Sequence, residues 1–170
     1  HFYCFGRADY MNDDILDALK KAGCHTVCIG IESGNQRVLD FLHKRTTVQQ
    51  NIDAIKLCKK HKITLDASLM MGITTETVEE MNDTVKKIKA YQPDIVNTNL
   101  FNPMPGTYVF DYCVKEGFFK KPQTLEEWAD WTGGQVKIKH NTSKIRDDLL
   151  QNTVDETRLF GFYKTKVKKL

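Results

Sequence analysis

Arg7, Glu32, Ser33, Lys44, Asn99 and Asn102 are the residues of this 170-residue sequence whose types and places suit binding chemistry. Glu32 and Ser33 follow an apolar run, Val27 to Ile31. A carboxylate there either caps the next helix or accepts hydrogen bonds from paired ligand hydroxyls, as an acidic residue does at a ribose. Lys44 closes the helical stretch that follows. Its ammonium either complements the helix dipole or holds a ligand carboxylate as a point charge. Gly72 follows a third apolar run, with Met70 and Ile73 beside it. A glycine there is either a turn or a place where a flat ligand comes close to the backbone. Arg7 and the stretch Asn99 to Asn102 end two further runs.

These groups can cooperate only if separate elements bring them to one edge. Phe2 to Phe5 reads as a short strand ending in Gly6-Arg7-Ala8-Asp9. Ile15, Leu16 and Leu19 have helical spacing, with Asn12 or Asp13 to cap and Gly23 to stop. Thr26 to Ile31 is a buried strand, and Val38, Leu39 and Leu42 mark a helix running to Lys44 and Arg45. Thr46 or Thr47 caps a helix carrying Val48, Ile52, Ile55 and Leu57. Ile63 to Met71 is the third strand. Thr75 caps a helix in which Val78, Met81, Val85 and Ile88 share one face. Glu76 then falls in its first turn, where the dipole favours a carboxylate. Asp94 to Phe101 is the fourth strand.

Strands alternating with helices through short connections predict a parallel sheet with right-handed crossovers. All carboxyl ends then lie on one side, and polar residues from separate strands converge on one pocket. The expected fold class is α/β. Four such units cannot close a barrel of eight strands, so residues 1–119 suit an open sheet or a partial (β/α) barrel. Residues 120–170 form a mostly helical C-terminal extension packed on the sheet. It holds a short helix, Leu125 to Trp131, a short strand, Gln135 to Lys139, and a long helix from Ser143 to the end. Leu149, Leu150, Val154, Leu159, Phe160 and Val167 are the apolar stripe of that helix. Trp128 and Trp131 share a helix face and either pack in the core or wall a substrate.

Composition narrows the classes. Hydrophobic residues make up 41% and charged residues 28%, ordinary for a globular domain. A net charge of +3 is too small to argue for nucleic acid, and the lysines among the last seven residues read as a solvated helix end. No apolar run reaches the roughly 18 residues that span a membrane. Five cysteines, Cys4, Cys24, Cys28, Cys58 and Cys113, are an odd count that suits free thiols in a reducing, cytoplasmic setting. A sequence that opens at His1 directly on a strand is expected to be part of a longer polypeptide.

The stretch from Val27 through Gly30-Ile-Glu-Ser33 to Lys44 resembles the fourth strand and following helix of the radical S-adenosylmethionine enzymes. Leu69-Met-Met-Gly-Ile-Thr-Thr-Glu-Thr77 resembles their fifth-strand motif, with Thr74 and Thr75 where the family usually has Pro and Gly. Arg7-Ala-Asp9 fits the Arg-x-Asp ending of their third strand. Asn102-Pro-Met-Pro-Gly-Thr107 is similar to the cobalamin-dependent branch, whose members resemble the anaerobic magnesium-protoporphyrin ester cyclase. These matches span residues 1 to 117 in order.

The resemblance implies an enzyme that binds S-adenosylmethionine and a 4Fe-4S cluster, with cobalamin as a further cofactor of that branch. Such enzymes cleave S-adenosylmethionine to a 5′-deoxyadenosyl radical that abstracts a substrate hydrogen. Carried over by position, Glu32, Ser33, Lys44, Met70, Gly72 and Ile73 would hold the cofactor. Arg7, Asn99 and Asn102 would face a small-molecule substrate. Lys44 and Arg45 stand where the family has a basic residue followed by Gly, so either could face inward. The cluster motif Cys-x3-Cys-x2-Cys fails here, since Cys24 and Cys28 would be followed by Ile31. No metal ligands are therefore expected in this chain, which would be inactive alone, and a reductant protein would serve the intact enzyme. A tRNA methylthiolating relative and a non-catalytic α/β binding module are the alternatives.

Overall fold

The computed structural model describes residues 1–131 and 137–167, with residues 159–167 as backbone only. Four strands, β1 (Phe2–Gly6), β2 (Cys24–Glu32), β3 (Thr64–Met71) and β4 (Ile95–Leu100), form one sheet in chain order. All three pairings are parallel. Helices α1 (Asp13–Lys21), α2 (Gln36–Phe41), α3 (Val48–Lys60) and α4 (Val78–Tyr91) fill the crossovers. After β4 come α5 (Tyr108–Lys115), α6 (Leu125–Trp131) and α7 (Asp147–Val167). This is the expected partial (β/α) barrel.

Strand alternation sorts the two sheet faces. Val27, Ile29 and Ile31 of β2 and Leu65, Ala67, Leu69 and Met71 of β3 are buried against Leu16, Ala54, Ile55, Met81, Val85 and Ile88 from the helices. The alternate residues carry the polar groups of the other, inner face. In register they are Cys28 beside Asp66, Gly30 beside Ser68, Ser68 in turn beside Asn97, and Met70 beside Asn99. Asn97 Nδ2 donates to Asp66 Oδ1 at 2.7 Å. Leu150 and Val154 of α7 join the same core as the sheet.

The strand ends shift by at most one or two residues from the sequence expectation, and three helix boundaries differ for reasons visible in the structure. Helix α2 ends at Phe41, not at Lys44. His43 takes a left-handed φ of 51°, its N–H bonding to the Asp40 carbonyl and that of Lys44 to the Leu39 carbonyl. That pattern is a Schellman stop, built without the glycine or asparagine that would have announced it. Helix α4 is capped by Thr77 rather than Thr75, in a reciprocal box with Glu80. The Thr75 carbonyl instead accepts from Arg37 Nη2 at 2.6 Å. Helix α7 begins at Asp147 rather than Ser143. Asn141 Oδ1 accepts from the Ser143 N–H and hydroxyl, and Ser143 Oγ accepts from the Ile145 N–H. These side chains compete with the backbone for helical bonds.

The strand expected over Gln135 to Lys139 lies partly outside the described residues, and 137–139 are irregular. The side chains of Leu159, Phe160 and Val167 also lie outside what is described. Trp131 is buried, its indole N–H donating to the Pro103 carbonyl at 3.1 Å, as a core role requires.

Candidate functional site

Arg7, Glu32 and Lys44 meet at the carboxyl ends of β1 and β2. Lys44 Nζ lies 2.6 Å from Glu32 Oε1, with both side chains mostly shielded from solvent. Arg7 pairs with Asp9 at 3.1 Å and sends Nη2 to the Lys44 carbonyl at 3.4 Å. The Arg7 guanidinium holds the Asp9 carboxyl below the usual carboxylate range. Three separate stretches of chain, after β1, at the end of β2 and after α2, therefore bring two cations and two carboxylates to one place.

Local backbone aims the pair. Glu32 has a φ of 60°, in the left-handed region that a non-glycine residue rarely enters. The Ser33 N–H closes a tight turn onto the Ile31 carbonyl at 2.8 Å. Such strain costs on the order of 1–3 kcal/mol and clusters at ligand clamps. The carboxylate is turned back over the inner sheet face, above Gly30. The Schellman stop at His43 then brings Lys44 to it from the other side. Of the two basic residues, Lys44 turns inward, while Arg45 is exposed.

Several expected site residues also have a role in holding the fold together. Ser33 is fully buried, its hydroxyl 3.1 Å from that of Thr84 on α4 and accepting from the Asn35 N–H. Gly72 is left-handed at φ 77°, but the space beside its Cα is filled by Leu150, whose Cδ2 lies 2.7 Å from where a Cβ would stand. On that side of Gly72, Leu150 of α7 occupies the space. Ile73 is 0% exposed and packs with Val38, Phe101, Val109 and Cys113, and Met70 borders the same cluster. Asn102 donates from Nδ2 to the Trp131 carbonyl at 2.7 Å, tying the loop after β4 to α6. Asn99 remains on the inner face, its Oδ1 accepting from Arg158 Nη2 of α7 at 3.2 Å.

Glu76 is the largest departure from the sequence reading. It lies before α4, not in its first turn, and is 3% exposed. Its Oε2 accepts from the Gly72 N–H at 2.9 Å, while Oε1 is buried without a hydrogen-bond partner among the described residues. Burial pushes its carboxyl up to about 7, against the backbone N–H groups of Gly72 and Ile73, which favour the anion. It lines a cavity of about 500 Å³ together with Thr75, Tyr112, Phe118 and Lys144.

The sequence assigns no role to Gly30 or Arg158. Gly30 stands in the motif that carries the resemblance, but one glycine inside an apolar strand carries little signal of its own. Arg158 lay on a helix whose docking against β4 no periodicity reveals. Its Nε donates to the Thr98 carbonyl at 2.6 Å.

A parallel partial barrel with charged groups at its strand ends is the α/β architecture of the barrel enzymes. The family model of the radical SAM superfamily matches residues 2–88, and the chain belongs to that family. An uncharacterised methyltransferase of Pyrococcus horikoshii is 34% identical over 147 residues, 85% of this chain and 31% of the relative. The anaerobic magnesium-protoporphyrin IX monomethyl ester cyclase of Rubrivivax gelatinosus is 34% identical over 103 residues, 60% of this chain and 19% of the cyclase. Methylthiotransferases are among the relatives as well. The chain spans about a third or less of these curated relatives. The structure of TsrM from Kitasatospora setae, a radical S-adenosylmethionine methyltransferase with cobalamin and a [4Fe-4S] cluster bound, superposes with a TM-score of 0.58 at 18% identity. That likeness covers 66% of this chain and 23% of TsrM, and it shows the fold alone.

The family implies S-adenosylmethionine and a 4Fe-4S cluster. Among the described residues no three of His, Cys, Asp and Glu gather where they could hold a metal ion. The cysteines present do not fit the cluster. The Glu32–Lys44 pair does fit the cofactor's amino-acid and ribose groups: a carboxylate and an ammonium lie together over a sheet position that has no side chain.

Proposed function

We propose that this chain supplies the cofactor- and substrate-holding wall of a radical S-adenosylmethionine enzyme, with Glu32 and Lys44 as the seat of S-adenosylmethionine. The observation that carries the reading is the 2.6 Å ion pair folded back over Gly30. Lys44 exchanges Glu32 for the ligand carboxylate, and Glu32 then accepts from the ligand's ammonium or ribose hydroxyls. A zwitterion with hydroxyls replaces both halves of the pair without leaving either buried charge alone. Arg7 holds the Lys44 backbone in place and stands at the border of the site. Asn99, with its oxygen taken by Arg158, offers its amide N–H groups to a small-molecule substrate on the inner face. Bound S-adenosylmethionine supplies the radical chemistry of the family when reduced by a cluster whose ligands are not among the described residues.

Within the family, the reading favoured is the cobalamin-associated methyltransferase or cyclase branch. It rests on the Pro-x-Pro-Gly-Thr stretch at 103–107 and on the relatives of both kinds. The intact enzyme takes electrons from a reductant protein, uses no nucleic acid and works in the cytoplasm.

Equilibrium dialysis with S-adenosylhomocysteine tests the seat. Binding should be saturable, and Lys44→Met should weaken it about ten-fold or more, the loss of one charge-assisted hydrogen bond. Equal binding by native protein and Lys44→Met would discard the reading.

A further inference from the structure

Gly30 is an inward-facing position of β2, in register with Ser68 of β3. Built on its backbone, a Cβ would lie 2.3 Å from Glu32 Oε1, 2.8 Å from Lys44 Nζ and 3.2 Å from Glu32 Cδ. The first two distances are below any ordinary contact of a real Cβ. The atoms that would be struck are not backbone or packed core. They are the two charged ends of the site, which occupy the volume a side chain would need. Alternation of the strand puts Cys28 on the same inner face below Gly30, so the gap is local rather than a general opening of the sheet.

We infer that Gly30 is a positioning residue: its missing side chain is the cradle in which the Glu32–Lys44 pair lies. The inference rests on the proposed role of that pair as the ligand seat. Two conformational choices then act together. The left-handed backbone at Glu32 turns the carboxylate back toward the sheet, and the absence of a Cβ at Gly30 lets it arrive. Both struck groups are ends of flexible chains, so a methyl group displaces the pair outward instead of breaking the strand. A merely structural glycine would do the opposite: its replacement would disturb packing and leave the ion pair where it is. No left-handed backbone at Gly30 calls for glycine, since its φ is not among the positive values in this chain.

The test uses Gly30→Ala in the same protein, with Glu32→Gln as the reference for a broken pair at unchanged backbone. The first readout is the rate at which Lys44 is acylated by acetic anhydride, followed by peptide mass spectrometry. The second is S-adenosylhomocysteine affinity by dialysis. Circular dichroism reports the fold. Gly30→Ala should keep its helical spectrum, acylate at Lys44 as fast as Glu32→Gln, and bind about ten-fold more weakly. Native-like protection of Lys44 in Gly30→Ala would overturn the cradle itself. Fast acylation with undiminished affinity would show that the pair opens but is not the seat, and the positioning role would fall with the functional reading. Should Gly30→Ala fail to fold, Gly30→Ala combined with Glu32→Ala removes the atom at 2.3 Å. Recovery of the fold in the double variant supports the steric account, and failure there overturns it.

Discussion

Lys44 shows how a residue can be legible by type and illegible by position. Its sequence suggested a cation at a helix end. The chain instead ends α2 early with a Schellman stop at His43, and the ammonium crosses to Glu32. Nothing in the residue types announces that stop, because His43 replaces the usual glycine. Replacing Lys44 by Met leaves Glu32 as a shielded, unpartnered carboxylate. We expect a stability loss of about 1–3 kcal/mol, measured by denaturant unfolding. Glu76 makes a prediction of opposite sign. Its folded pKa, about 7, lies above the ordinary value of 4.5. A raised carboxyl contributes stability that is present below the unfolded value and lost as pH rises through the folded one. Glu76→Gln keeps an acceptor for the Gly72 N–H and carries no charge to bury. It should melt higher than the native protein at pH 8, on the order of 2–3 kcal/mol in stability, and lose that advantage near pH 4.5. An advantage that does not change with pH would refute the assignment.

At the scale of elements, the strands and the amphipathic helices were readable, because burial imposes a period of two on one and of 3.6 on the other. Val78, Met81, Val85 and Ile88 mark α4, and three of them are buried as expected. Their cap was misplaced because three threonines, Thr74, Thr75 and Thr77, compete for that place and Arg37 decides between them from another helix. Thr77→Ala should cost about 1 kcal/mol and lower the melting temperature by roughly 2–4 °C. The seating of α7 on Gly72 could not be read at all, since it depends on a contact between residues far apart in the chain. Leu150→Ala empties that contact, and a loss of about 2–5 kcal/mol is expected in thermal or denaturant unfolding. A change below about 0.5 kcal/mol would mean that α7 does not hold the strand end in solution.

For the whole molecule, the sheet is covered by helices on one face and presents polar groups on the other, with Phe5 81% exposed at the β1 edge. Phe5→Ser should therefore leave the melting temperature within about 2 °C of native. Among the described residues no helix is long and apolar enough to cross a membrane. The proposed ligand seat has a consequence for kinetics. Glu32 offsets Lys44, and Asp9 offsets Arg7. These two pairs thus cancel each other's charge at the site, and a net-neutral zwitterion approaching it should be little steered. Its association rate should change by less than about two-fold between roughly 0.02 and 0.3 M salt, whereas a site built on a bare cation would slow steeply. Encounter would be left to diffusion, and selectivity to how long the ligand stays once the two charges have changed partners.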